Sequence, residues 1–138
     1  MERTLTIFKP DCLERKLLGA VIGRIEAVGF QIVSMKMVQL TNPVAESFYQ
    51  MHRGKEFYAG LIRFMTENPC VVAVLQKDNA VDDYRKLMGA TDPGKAEKGT
   101  IRHDFAEDVR RNVVHGSDST ASAQREIAFF FSDSELLW

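Results

Sequence analysis

Residues 112–118 read Asn-Val-Val-His-Gly-Ser-Asp, so an imidazole sits at the end of a short β-branched run, just before a turn. His115 has no cysteine or second histidine near it in sequence. Four roles are open to such a side chain: nucleophile, general base, metal ligand or packing residue. Cations come at separated positions that a fold could gather. Lys9 closes the first strand-like segment, Arg85 lies on a helical stripe, and Arg102 lies in a polar stretch that also carries Thr91. Arginine offers a bidentate fork to phosphate and lysine a point charge, so a nest of Lys9, Arg85 and Arg102 around one imidazole suits phosphate without a glycine-rich loop. Tyr49 and Phe57 bracket a turn between two further helical segments. The usual phosphate devices are absent: there is no G-x-x-x-x-G-K-[ST] and no G-x-G-x-x-G. The three histidines are scattered, no H-E-x-x-H occurs, and G-x-S-x-G is missing.

Elements able to position these residues follow from periodicity. Arg3–Phe8 alternates and is β-branched, a first strand that Pro10 ends. Leu18, Val21, Ile22 and Ile25 have helical spacing, and Gly29 stops that helix. Residues 30–40 make a second strand, with Val33, Met35 and Met37 on one face and Ser34 and Lys36 on the other. Asn42 and Pro43 read as N-cap and first helical residue of a helix running to about Met51. Phe57, Leu61 and Phe64 start another helix, broken at Asn68-Pro69. Residues 70–75, Cys-Val-Val-Ala-Val-Leu, are continuously apolar, as in a central strand covered on both faces. Asn79 caps a helix with Val81, Tyr84, Arg85 and Met88 along one stripe. From Gly89 to about Arg111 no period holds, and the stretch is expected to be a long functional loop. It leads into the last strand. Asp118 or Ser119 then caps a helix whose Ala123, Ile127 and Phe130 face the core.

The expected architecture is α+β. A ferredoxin-like βαββαβ antiparallel sheet carries its helices on one face, with an extra helical hairpin after the second strand and a long loop before the last. The 138 residues, 45% hydrophobic, suit a single domain over residues 1–138. With 18 Lys plus Arg against 19 Asp plus Glu, the net charge of −1 argues against nucleic acid or a membrane surface as main partner. Cys12 and Cys70 fall in no metal or redox pattern, and no signal or membrane-spanning segment stands out. A cytoplasmic protein is expected. An RNA-recognition module shares the strand order, but its aromatic strand motif is missing and residues 70–75 carry no aromatic side chain.

Asn112–Ser119, together with Lys-Pro-Asp (9–11), Gly-Thr-Ile-Arg (99–102), residues 87–93 and residues 121–131, resembles the nucleoside diphosphate kinase family in its bacterial form. The signature N-x-x-H-G-S-D is met in full. The resemblance runs from about residue 2 to residue 132. It implies transfer of the γ-phosphate of a nucleoside triphosphate, typically ATP, to a nucleoside diphosphate by a ping-pong route through a phosphohistidine at His115. By position it implies that Glu126 orients His115 and that Ser117 supports that carboxylate. It implies that Lys9, Tyr49, Arg85, Thr91, Arg102 and Asn112 contact phosphates and sugar. Phe57 and Val109 would sandwich the base, with Leu61 lining that slot. Mg²⁺ would be held mainly by the nucleotide phosphates, and the chain would assemble as a tetramer or hexamer. Met51, Glu56, Tyr58, Lys98 and His103 depart from the family's usual residues, which bears on affinity and subunit contacts and leaves the chemistry intact. In this picture Gly116 supplies the turn that leaves the imidazole facing the cleft.

Overall fold

The computed structural model describes residues 1–138. Four strands, β1 (Glu2–Phe8), β2 (Gln31–Val38), β3 (Cys70–Lys77) and β4 (Val114–Gly116), form one antiparallel sheet in the order β2-β3-β1-β4. Seven α-helices connect them: α1 (Pro10–Glu14), α2 (Leu18–Ala27), α3 (Asn42–Phe48), α4 (Tyr58–Glu67), α5 (Ala80–Met88), α6 (Ile101–Phe105) and α7 (Thr120–Phe130). The expected βαββαβ order is present, as are the hairpin of α3 and α4 and the final strand and helix.

Both faces of the sheet are covered, which corrects the one-face expectation. Alternate residues of β1 and β3 point to opposite sides. Leu5, Ile7, Val72 and Val74 meet Phe48, Tyr49, Phe64 and Met65 of the α3–α4 hairpin region, with Ile127 and Phe130 of α7 packed alongside. Phe8, Val71, Ala73 and Leu75 meet Val21 and Ile25 of α2 and Tyr84 and Met88 of α5. Each such aliphatic side chain taken fully out of water contributes about 1.5–3 kcal/mol before chain entropy is subtracted. The continuous apolar run of β3 thus reflects its central place, as read.

The second strand departs from simple alternation. The register slips between Ile32 and Ser34, leaving Val33 as the extra residue of a bulge. Val33 joins the cluster of Val74, while Met35 and Met37 turn to the other face and stay 45% and 63% exposed. Pro10 ends β1 but also opens α1, where its missing N–H and fixed φ are harmless. Thr41, not Asn42, caps α3: its side chain accepts from the Val44 N–H. Helix α3 ends at Phe48, and residues 50–52 tighten into a 3-10 turn. Asn79 holds the cap position of α5, but in the left-handed region (φ 58°) and without a capping bond; the Glu2 carboxylate instead takes the Val81 N–H at 2.7 Å. Ser119 caps α7. The stretch from Gly89 to Arg111 is not all loop. It holds a 3-10 turn at Pro93–Lys95 and helix α6, capped by the Thr100 hydroxyl on the His103 N–H.

Candidate active site

Strand β4 is only three residues long, yet it carries His115 into a fixed position. It pairs with β1, Ile7 opposite His115. Just before it the chain makes a γ-turn: the Val114 N–H donates to the Asn112 carbonyl at 2.9 Å, and Val113 between them has φ 77°. A β-branched residue in that region is strained, at a cost of roughly 1–3 kcal/mol, and persists only where the surroundings over-determine it. Here they do. The Val113 N–H donates to Asp11 Oδ2 (3.1 Å), its carbonyl accepts from the Lys9 N–H (2.9 Å), and its side chain is fully buried.

The imidazole is oriented from the other side. His115 Nε2 lies 2.8 Å from Glu126 Oε1, and the Ser117 hydroxyl donates to the same oxygen at 2.9 Å. Ser117 in turn accepts from the Leu5 N–H at 3.3 Å. Glu126 is 5% exposed and can only accept when ionised, so the proton of the imidazole sits on Nε2 and the Nδ1 lone pair is free. Phe48 meets the ring edge-on at 5.6 Å. Gly116 has no positive φ, which corrects the turn reading. A β-carbon there would lie 2.6 Å from Met88 Cε and 2.8 Å from Tyr84 Cδ2, so glycine lets α5 press against β4.

His115 opens into a cleft of about 1250 Å³ between the α3–α4 hairpin and the segment 85–112. Lys9, Tyr49, Phe57, Leu61, Arg85, Thr91, Arg102, Val109, Asn112 and Glu126 all line it; Ser117, buried behind Glu126, does not. Lys9 donates to Asn112 Oδ1 at 2.8 Å, and burial, aided by the nearby Arg102 charge, pushes its ammonium down to about 8. Asn112 donates to the Val109 carbonyl at 3.1 Å. Arg102 spends two nitrogens on backbone, donating to the Gly89 carbonyl (3.1 Å) and the Val114 carbonyl (2.8 Å). Its buried Nε and the buried Tyr49 hydroxyl have no partner. Burial pushes the Tyr49 phenol up, so it stays a donor. Arg85, on the stripe expected to be one with Tyr84 and Met88, is exposed toward the cleft while those two are buried. Phe57 and Val109, 44% and 60% exposed, stand on the two sides of the cleft mouth.

Donors, cations and an oriented imidazole at the inner end, with apolar walls at the mouth, fit a phosphorylated ligand with a flat hydrophobic head. The family model for nucleoside diphosphate kinase matches residues 2–136. The chain belongs to this family. A nucleoside diphosphate kinase of Psychromonas ingrahamii is 57% identical over 136 residues, 99% of this chain and 94% of the relative. One from Chlorobium limicola is 51% identical over 137 residues, 99% of this chain and 98% of the relative. Among solved structures, the Aquifex aeolicus nucleoside diphosphate kinase superposes with a TM-score of 0.95 at 42% identity, covering 99% of each chain. A halophilic nucleoside diphosphate kinase from Halobacterium salinarum in complex with CDP gives 0.96 at 39%, covering 99% of this chain and 91% of that one. The activity is therefore nucleoside diphosphate kinase, a phosphotransferase that moves the terminal phosphate of a nucleoside triphosphate to a nucleoside diphosphate through a phosphohistidine.

Several residues that build or line the cleft carry no readable role in the sequence. Asp11 lies outside the cleft lining, yet it pins Val113. His52, stacked on Tyr49 at 6.3 Å and edge-on to Phe57 at 5.1 Å, was one of three scattered histidines. Asp118, Arg110, Arg111 and Arg125 also line the cleft. Only their place in three dimensions marks them, apart from Asp118, which lies inside the signature. No helix is long and apolar enough to cross a membrane.

Proposed function

We propose that His115 Nδ1 is the nucleophile and that it attacks the terminal phosphorus of a nucleoside triphosphate. The free lone pair supports this assignment, since the Nε2–H faces Glu126. A neutral imidazole needs no prior deprotonation. The P–O bond to the β-phosphate breaks as the N–P bond forms. The diphosphate leaves, a second diphosphate takes its place, and its terminal oxygen recovers the phosphoryl group. As positive charge develops on the ring, Glu126 stabilises it through Nε2–H, and Ser117 holds the carboxylate in place.

Lys9, Arg102 and Arg85 act on the phosphates. The charge spread over the equatorial oxygens in phosphoryl transfer is met by preorganised donors more than by covalent help. Arg102 Nε and the Tyr49 hydroxyl are buried donors without a protein partner, at the inner end of the cleft. Thr91 and Asn112 complete the phosphate and sugar contacts. Phe57 and Val109 enclose the base, with Leu61 lining the slot, and stacking against apolar walls accepts any base because every base has a π-face.

Mg²⁺ keeps its waters and rides on substrate phosphates with few protein ligands, so it would enter with the nucleotide. When bound it supplies neutralisation of the polyphosphate charge. Asp118, whose carboxyl the Ser122 hydroxyl holds below its usual range, is one of the cleft carboxylates that could meet its water shell. We further propose that residues 1–138 act as one domain and that copies of the chain assemble into a tetramer or hexamer. The open edge of β2 and its exposed methionines are suited to such contacts. A cytoplasmic location fits the two unpaired cysteines.

The observation that carries the reading is the His115–Glu126–Ser117 chain at the inner end of a cationic cleft. Incubation with γ-labelled ATP and Mg²⁺ should give a protein-bound label that is lost in acid and kept in base. His115→Ala should give none; a label on that variant would move the nucleophile elsewhere.

A further inference from the structure

The cations at the inner end of the cleft have evident work, but Arg110 sits at the mouth. Its side chain makes no hydrogen bond and no ion pair, whereas its backbone N–H is tied to Asp108 Oδ1 at 2.9 Å. The same carboxylate oxygen takes the Arg111 N–H at 2.7 Å, and the Glu107 N–H donates to the Arg111 carbonyl at 2.9 Å. Residues 107–111 are thus a closed loop that presents Val109 and Arg110 together. The Arg110 guanidinium reaches across the cleft to Gly60: a β-carbon on Gly60 would lie 2.5 Å and 2.6 Å from its two terminal nitrogens. Gly60 lies between Phe57 and Leu61 on the α4 wall, and Val109 precedes Arg110 on the other. Five N–H donors with no acceptor therefore lie at the end of the slot assigned above to the base.

We propose that Arg110 is a specificity residue that reads the edge of the bound base. This rests on the Phe57–Val109 slot being the base site. A guanidinium only donates. It therefore favours bases that present an oxo group there, such as guanine and hypoxanthine, over adenine, which presents an amino donor at the same ring position. Arginine paired to the O6 and N7 acceptors of guanine is the best-known form of this recognition. Gly60 is part of the device, because any side chain there would displace the guanidinium. Stacking still admits every base, and Arg110 ranks them.

The test uses the phosphoenzyme. Full-length protein labelled with γ-labelled ATP is desalted and mixed with GDP, IDP or ADP and Mg²⁺, and loss of label is followed by rapid quench. The second-order rate constants for GDP and IDP should exceed that for ADP by about tenfold, the low end of what a bidentate arginine–guanine pair gives. Arg110→Met should bring the ratio to within about twofold. Gly60→Ala, meeting only the end of a flexible side chain, should compress the ratio similarly and add nothing in the Arg110→Met background. An unaltered ratio in Arg110→Met overturns the inference, as does an equal loss for all three diphosphates, which would put Arg110 on the phosphates. Phe57→Ala separates the two readings. If it slows all three diphosphates while Arg110→Met leaves the ratio alone, only the role of Arg110 fails. If it slows none, the slot itself is misassigned.

Discussion

Glu126→Ala tests the orienting role proposed for a carboxylate that binds the imidazole and not the nucleotide phosphates. The wild-type carboxylate accepts from His115 Nε2 at 2.8 Å and from the Ser117 hydroxyl at 2.9 Å while 5% exposed. A hydrogen bond to a charged, buried group contributes about 1.5–3 kcal/mol, and the bond from the ring strengthens as the imidazole gains positive charge. Without the carboxylate the ring is free to place its proton on Nδ1, which leaves no lone pair toward the cleft. Converting that energy at 1.4 kcal/mol per tenfold gives a labelling rate about 10–100-fold slower. Rapid-quench labelling over a range of ATP concentrations separates rate from affinity. The loss should fall on the rate at saturating ATP, with KM moving less than about threefold, as the role proposed for Glu126, stabilising charge that appears only as phosphorus is attacked, requires. Glu126→Gln should recover part of the loss, because an amide oxygen still accepts from Nε2–H, but without the charge. Full-speed labelling by the alanine variant, or a defect confined to KM, would refute the orienting role.

Lys9 predicts a proton count. Its ammonium is pushed down to about 8 by burial and by Arg102, so in the empty protein it is partly deprotonated near pH 8.5. Nucleotide phosphate favours the charged form, and binding at pH 8.5 should take up a fraction of a proton that vanishes by pH 6.5; calorimetry in buffers of different ionisation enthalpy measures it. Since the unfolded lysine keeps its ordinary value of 10.5, the unfolded chain holds more protons between about 8 and 10.5, and this group makes the protein without nucleotide more stable as pH rises through that window. Denaturant midpoints of wild type and Lys9→Met across that range check the sign. Gly116→Ala should overpack the β4–α5 contact, at about 1–3 kcal/mol, lowering Tm by several degrees in a thermal melt.

The parts of the fold that could be read from sequence are those with a local signal repeated over two or more turns or several alternations. β1, α2, β3, α5 and α7 qualify, and each lies where its apolar period puts it. Helices α1 and α6 are five residues each, too short for a period to show, and α1 hides behind a proline that reads as a stop. The bulge at Val33 is a property of the pairing with β3, so nothing in residues 30–40 alone marks it. The candidate site divides in the same way. The resemblance carried His115, Glu126 and Ser117, and all three meet at hydrogen-bonding distance. Asp11 to Val113 spans 102 residues, and Arg110 against Gly60 joins two walls of a cleft; neither has a one-dimensional signature. Gly116 reads as a turn residue in the sequence, whereas it lies in β4 and glycine is required there by close packing against α5.

The strained turn at Val113 has a consequence for how the protein comes alive after synthesis. A three-residue strand has little capacity to hold its own register, and its entry point is clamped by groups from the opposite end of the chain. The nucleophile therefore cannot be set by any C-terminal fragment alone. Recovery of phosphotransfer during refolding should trail the formation of bulk helix and sheet, making enzymatic competence a late clock for completion of the whole tertiary structure.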